Sequence, residues 1–436
     1  MRAICLQSTA VANPRALHGN PMITVRSIAA ICALVVPLLV SAAPARLATP
    51  APAPVAGVNE TSLMCHADKD AKSAAGKSIA VDTAKFTASV HGELKLKCTD
   101  CHADVSADKL PHPEKLKPVN CATCHDKAVK EYAGTVHAIA RKGGNNVAAT
   151  CIDCHGTHDI KRPKDPTSPT HHLNLVATCT KCHGSEAVMT KGKLPSGNIG
   201  SKFDDSIHGK ALKSAAAMSA PECTDCHGAH SIHPKSDPQS KVSRARIPET
   251  CGSCHKPERD AYMKGMHGKL RQDGVLASPG CTDCHSAHGI QQHETPKFQT
   301  EVIKECGNCH TEYISTYRDT FHGQVTALGY ARMATCASCH GAHEVLPASN
   351  PASKVSKQNR LATCQKCHAG ASANFASFDP HANKHDKARD PIYYYAAKFM
   401  EFLLFGVFAF FGIHTVFWLY REVREKLAGR NGKGGH

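Results

Sequence analysis

Two continuous apolar runs break an otherwise polar chain, Ile28–Ala43 and Phe402–Tyr420. The first contains Pro37, follows Arg26 and gives way to the small residues Ser41-Ala42-Ala43-Pro44-Ala45. That order predicts a secretory signal over 1–45, with cleavage near Ala43 or Ala45 and Met22 as an alternative start. Residues 46–58, rich in Pro and Ala, read as a stiff linker. The second run holds 19 residues with His414 its one ionisable side chain, and at about 1.5 Å per residue it approaches the ~30 Å hydrocarbon core of a bilayer. It predicts a transmembrane helix over 390–424 and a basic tail over 425–436. Arg421, Arg424, Lys426, Arg430 and Lys433 follow the run, which places the C-terminus in the cytoplasm and residues 59–389 in the periplasm of a single-pass inner-membrane protein. Between the runs large apolar side chains are scarce. Of 23 Phe, Tyr and Trp residues, 12 lie within Tyr393–Tyr420, so more than 300 residues have almost no aromatic core. The expectation there is mainly α and irregular structure: short helices after recurring motifs, long loops and negligible sheet.

The cysteines say what fills that interior. Ten times the chain reads Cys-x-x-Cys-His, accounting for 20 of its 23 cysteines. The thiol pairs are Cys98/Cys101, Cys121/Cys124, Cys151/Cys154, Cys179/Cys182, Cys223/Cys226, Cys251/Cys254, Cys281/Cys284, Cys306/Cys309, Cys336/Cys339 and Cys364/Cys367. The histidines that follow are His102, His125, His155, His183, His227, His255, His285, His310, His340 and His368. Zinc ribbons use Cys-x-x-Cys pairs but give no reason for His at the next position every time. Thioredoxin-like redox pairs do not repeat ten times. The order Cys-x-x-Cys-His is that of c-type haem attachment, two thioethers to the porphyrin and an adjacent imidazole on iron. Cys5 and Cys32 fall in the signal segment. Ser62-Leu63-Met64-Cys65-His66 is the same motif with its first thiol replaced. It reads either as an eleventh haem held by one thioether through Cys65, with His66 on iron, or as a vestigial site.

Two motif flavours alternate, giving five two-haem modules plus the degenerate first site. Each module opens on a leading histidine, often followed by Gly: His91, His137, His208, His267 and His322. Each also carries a trailing histidine, usually in Gly-x-His after the first motif: His112, His158, His230, His288 and His343. His381 and His385 follow the last motif. These twelve are the candidate distal ligands, and bis-histidine coordination is the expectation throughout. Alpha carbons of two axial histidines on one iron lie on the order of 12 Å apart, whereas three residues span at most about 10.5 Å. A trailing histidine therefore cannot share an iron with its own motif and must serve a neighbour. Leading histidines are expected on the preceding motif: His91 with His66, His322 with His310, and His381 or His385 with His368. His171, His172, His233 and His293 stand outside the repeat and read as surface or propionate-contacting residues.

These doubled motifs, over about Glu60–His385, resemble the multihaem c-type cytochrome family, which includes membrane-bound electron carriers and octahaem-type reductases. The resemblance implies a haem-packed array exported before haem attachment. Gly412-Ile413-His414-Thr415 with Trp418-Leu419-Tyr420-Arg421 resembles the first helix of b-type cytochrome subunits of the formate dehydrogenase gamma type. It implies that His414 ligates a haem b shared with a partner subunit. A quinone-site or hydrogen-bonding role, or no role, are the other readings of that residue. The functional expectation is electron transfer from the quinol pool, through a b-type membrane partner, to a periplasmic acceptor. The alternative is a terminal reductase of nitrogen or sulfur oxyanions, against which stands the absence of any Cys-x-x-Cys-Lys.

Charge then changes meaning. The chain carries a net +15, and loss of residues 1–45 removes Arg2, Arg15 and Arg26 with no acid, leaving +12. Ten haems bring about −20 in ionised propionates, so the holoprotein is near −8. The basic excess balances cofactor carboxylates. It is not a nucleic-acid footprint, since the aromatics that stack on bases are missing.

Overall fold

In a computed structural model of the protein the described residues are 59–431, apart from 107, 108, 110, 114, 195, 196, 215 and 216. The expected signal (1–45), the linker (46–58) and the end of the basic tail, with Lys433, lie outside them. Among the described residues the protein is helical without sheet; one isolated antiparallel bridge joins Lys72 and Ser78. The chain divides into two compact units, one running to Cys124 and including Gly156–Arg162, the other formed by His125–His155 and the chain from Pro163 onward.

Within each unit the same local design recurs. A leading histidine is the second residue of a short helix: Val90–Glu93, Val136–Lys142, Ile207–Leu212, Met266–Gln272 or Phe321–Ala327. Four of these start on a Ser or Thr whose hydroxyl accepts the N–H three residues on: Ser89, Thr135, Ser206 and Thr320. The cap satisfies one of the donors a helix leaves open at its start. Ser89, Thr135 and Ser206 are nearly sealed from solvent, at 1, 1 and 2% exposure, so these caps are buried structure. The glycine after the histidine has a steric reason. A Cβ on Gly209 would lie 2.1 Å from the Phe203 carbonyl oxygen, and one on Gly323 equally close to that of Tyr317.

Successive modules interlock through the backbone. The first amide of a leading helix donates to a carbonyl two residues beyond the next module's trailing histidine: Val90 to Ile160 (2.9 Å), Val136 to Ile232 (2.9 Å), Ile207 to Ile290 (2.8 Å), Met266 to Val345 (2.7 Å). Three of the few aromatics hold the other side. Tyr132, Tyr262 and Tyr317 donate their hydroxyls to Ala149, Pro279 and Ala334, each two residues ahead of an attachment cysteine.

Large apolar side chains do not fill the interior. Among the described residues the buried hydrophobics are Ala138, Met189, Ala220, Tyr262, Ile303, Leu346 and Ala371, three of them alanines. The exception to the short helices is Pro391–Asn431, 41 residues, whose stretch Pro391–Ala428 is long and apolar enough to cross a membrane, its most apolar 18 residues having mean hydropathy 2.1. It runs past the expected boundary at 424 into the basic segment. The residues there are good helix formers, and the pairs Arg421–Glu425 and Glu422–Lys426 lie one turn apart.

Gly209→Ala forces the leading helix away from the Phe203 carbonyl. The holoprotein should lose about 1–3 kcal/mol of stability, read by thermal unfolding, while Lys210→Ala on the exposed face leaves the transition in place.

Candidate haem-binding sites

The two motif flavours occupy different local structures. In the first flavour Cys-x-x-Cys-His is itself a single helical turn, as in Cys151–His155, Cys223–His227, Cys281–His285 and Cys336–His340. The next residue then turns left-handed: Gly156, Gly228 and Gly341 at φ +84, +84 and +86°, and Ser286 at +61°. Only glycine adopts that conformation without strain, so the Gly of Gly-x-His is the point where the chain leaves its own site. In the second flavour Cys251, Cys306 and Cys364 sit near the ends of helices that begin before them, Cys179 lies within Leu175–His183, and Cys121 just precedes Ala122–Ala133. The histidine falls at a break before the next one. His125, His255 and His310 share that conformation, with φ between −94 and −112° and ψ between 43 and 56°.

Sequence spacing treats the two thiols of every motif alike, and the second flavour departs from that. Cys254, Cys309 and Cys367 lie just past the helices Ile247–Gly252, Pro296–Gly307 and Arg360–Gln365 that carry Cys251, Cys306 and Cys364. All three are exposed, whereas Cys182 stays inside Leu175–His183 and is half-buried. The cause is a tightening of the helix end. The amides of Cys254, Cys309 and Cys367 donate to the carbonyls of Cys251, Cys306 and Cys364 at 3.3, 3.3 and 3.2 Å, a three-residue turn that swings the second thiol outward. In the first flavour the second thiols are drawn in instead, Cys101 excepted, which is exposed. Burial pushes Cys154, Cys226 and Cys339 above the ordinary thiol value, and Cys284 up to about 11.

The structure brings the imidazoles together in pairs. First-flavour histidines face the trailing histidine of the following module: His102 and His158 with ring centres 6.2 Å apart, His155 and His230 at 6.0 Å, His227 and His288 at 6.0 Å, His285 and His343 at 6.0 Å. His340 takes His381 at 6.1 Å in the same way. Second-flavour histidines face the leading histidine of their own module: His183 and His137 at 6.2 Å, His255 and His208 at 6.1 Å, His310 and His267 at 6.2 Å, His368 and His322 at 6.0 Å. His66 pairs with His112 at 6.0 Å. His91 holds the leading position in Val90–Glu93, and His125 follows Cys124 at its helix break.

The trailing histidines thus sit across module boundaries, as the reach argument requires. The leading histidines do not face the preceding motif, and that expectation is corrected. His322 lies against His368 rather than His310, His66 against His112 rather than His91, and His381 against His340 rather than His368. The reason is the rigid helix between the two residues. Thr311–Asp319 separates His310 from His322, and its Tyr317 hydroxyl is bonded to Ala334, two residues before Cys336. The leading helix is held toward the motif that follows it. His385 makes no described ring contact; its amide donates to Asn383 Oδ1.

Haem fits these residues. With metal–nitrogen bonds of ~2.0 Å and ring centres ~1.2 Å beyond each nitrogen, two imidazoles on one metal stand ~6.4 Å apart. Rings that touch directly are closer, His285–Phe298 at 5.2 Å and His368–Phe375 at 5.0 Å. Burial, and next the partner imidazole, lowers the proton affinity of His137, His155, His208, His227, His267, His285, His322 and His340 below the ordinary histidine value. The neutral ring that ligation requires is therefore the favoured form. Thr316 Oγ1 lies 3.1 Å from His381 Nδ1 and orients that ring from behind. The cysteines of the described residues, Cys182, Cys254, Cys309 and Cys367 among them, are thiols rather than disulfides, as thioether attachment needs. Consecutive attachment sites are neighbours: the Cys179 thiol lies beside that of Cys223, Cys251 beside Cys281 and Cys306 beside Cys336.

The histidines outside the repeat have local partners. His171 Nδ1 accepts from Leu173 N, His233 Nδ1 lies 3.1 Å from Asp237 Oδ2, and His293 Nε2 lies 3.8 Å from Glu294 Oε1. His172 sits with Glu222 and Asp225, their ligating atoms within 4.8 Å. Those carboxylates cap the Cys223 turn: Glu222 accepts from Thr224 N, and Asp225 from Glu222 N. The supporting roles of the Thr316 hydroxyl and the three tyrosine hydroxyls do not follow from the motifs. The tyrosines' common place, seven residues after a second-flavour histidine, was the available signal.

Recurring thiol pairs, facing neutral imidazoles and an interior without large side chains define a multihaem c-type cytochrome, an electron-transfer protein. Residues 84–156 match the family of cytochrome c7 and related cytochrome c, and residues 216–260 and 274–314 match the doubled CXXCH motif family. The chain is similar to the cytochrome c-type protein NrfB of Escherichia coli O6:H1, 27% identical over 157 residues, covering 33% of this chain and 78% of that protein. No solved structure matches it.

His230→Ala should leave the number of attached haems unchanged and turn one ferric haem from low-spin to high-spin, with added imidazole restoring it. Electron paramagnetic resonance with intact mass reads both. An unchanged low-spin spectrum would remove His230 from coordination.

Proposed function

We propose that this protein is a membrane-anchored periplasmic electron conduit, carrying electrons from quinol through a b-type cytochrome partner to a periplasmic acceptor. The observation that carries the reading is the paired imidazoles. At least nine of the ten intact motifs have a second imidazole 6.0–6.2 Å from their own. Two nitrogens per iron leave no coordination position for substrate, which favours transfer over reduction of an oxyanion. Haem supplies the one-electron ferric–ferrous couple at each site. The chain's own residues favour the neutral form of buried imidazoles such as His227 and His285, orient His381 through Thr316 and place neighbouring attachment sites side by side.

The anchor is the helix Pro391–Asn431, with its basic end in the cytoplasm and the cytochrome region in the periplasm. His414 lies six residues, about 9 Å, inside Tyr420. Its side chain is exposed on the helix, as is every residue from Glu401 to Arg421 except Ala409. An ionisable group at such depth marks a functional position, and we assign it as a ligand to haem b completed by a partner subunit.

In membrane vesicles, added quinol should reduce the c haems. His414→Leu should slow that reduction at least tenfold while leaving reduction by dithionite unchanged. A pyridine haemochrome spectrum of the purified membrane complex should show haem b beside haem c. A spectrum without haem b ends the His414 assignment, and a five-coordinate high-spin haem in the oxidised protein overturns the conduit in favour of a reductase.

A further inference from the structure

We infer that Cys65, His66 and His112 form an eleventh haem site, in which a single thioether and two imidazoles hold the cofactor. The inference rests on the multihaem reading above and adds a site whose motif is incomplete. Its axial geometry matches that of the intact sites. The His66 and His112 ring centres are 6.0 Å apart with planes 13° from parallel, inside the 6.0–6.2 Å spread of the complete motifs. Both rings are oriented from behind. His66 Nδ1 lies 2.7 Å from the Ile79 carbonyl and His112 Nδ1 lies 3.1 Å from that of Pro113. Each Nδ1 donates its proton there, leaving the two Nε2 atoms as the unprotonated pair that a metal takes.

The missing thiol's place is also preserved. Ser62 lies beside the Cys98 thiol, close enough for its hydroxyl to act on that group. In the intact sites the corresponding contact joins two first cysteines, Cys179 to Cys223, Cys251 to Cys281 and Cys306 to Cys336. Ser62 therefore stands where a first cysteine stands, beside the next attachment motif. Asn59, which precedes the helix Glu60–His66, fixes that relation from the other side: its Oδ1 accepts from Cys98 N at 2.9 Å, and its Nδ2 donates to Leu96 O at 3.4 Å. A site released from cofactor binding has no physical reason to keep two oriented imidazoles at coordinating distance.

The chemistry balances with one thiol. Cys65 sulfur adds across one vinyl group of haem. The S–H bond breaks, an S–C bond forms, the hydrogen passes to the other vinyl carbon, and no oxidant or reductant is consumed. Ser62 makes no second addition, so the other vinyl stays conjugated with the porphyrin. One haem in eleven should then absorb at slightly longer wavelength than the rest.

Intact mass under denaturing conditions tests the site on the full mature chain. Eleven haem masses are expected, ten for Cys65→Ala, and eleven again for Ser62→Cys with the long-wavelength shoulder gone. His112→Ala should keep eleven masses and convert one ferric haem to high-spin, reversed by imidazole. A native protein with ten haems that gains one only in Ser62→Cys overturns the eleventh site and leaves the conduit standing. Far fewer than ten would instead overturn the multihaem reading itself.

Discussion

Two imidazoles on one iron must face each other across about 6 Å, and no pair of residues close in sequence can do so. Nearly every other feature of this protein answers that constraint. Each attachment motif contributes one imidazole by local geometry, and the second must be brought from a distant part of the chain. Two routes are used. The second flavour draws on a leading helix of its own module, and the first on the module that follows. His102 with His158 and His183 with His137 show the two in neighbouring stretches of chain.

The supporting structure follows from those routes. A leading histidine delivered by a helix of four to seven residues needs that helix fixed at its start, since so short a helix is marginal by itself. The Ser and Thr caps and the amide bond to the following module do this, and His-Gly keeps the helix tight against its neighbour. A trailing histidine needs the chain to turn at once after the attachment motif, which the left-handed residues at 156, 228, 286 and 341 provide. Where large apolar side chains are few, hydrogen-bonded caps and tyrosine hydroxyls carry the specificity that a packed core would otherwise supply.

Much of this could be read from the residues alone. Cys-x-x-Cys-His marks attachment because the order itself encodes the chemistry. The run Phe402–Tyr420 declares its helix by composition, and the lack of sheet follows from the absence of alternating apolar strands. The reach of three residues sent His158, His230, His288 and His343 to neighbouring sites, where their rings lie. The partners of the leading histidines do not follow from spacing, because proximity along the chain is not proximity in space. The rods Lys256–Lys264 and Thr311–Asp319, and the tyrosine bonds that aim them, follow from tertiary contacts that no spacing rule contains. Nor does the motif's spelling tell that Cys254 and Cys309 turn outward while Cys226 and Cys284 are drawn in, since the helix that precedes each motif decides it. Ser62 was ambiguous for a similar reason: a serine in place of cysteine looks like loss until its neighbour, Cys98, is seen.

The trailing histidine's origin in the next module also imposes an order on biogenesis. His230 follows His155 by 75 residues, so on the proposed coordination a haem attached at His155 as the chain emerges would hold one imidazole until the next module has followed. During that interval the iron would keep an open face, and each such face would close only as a module hands its histidine back to the one before it.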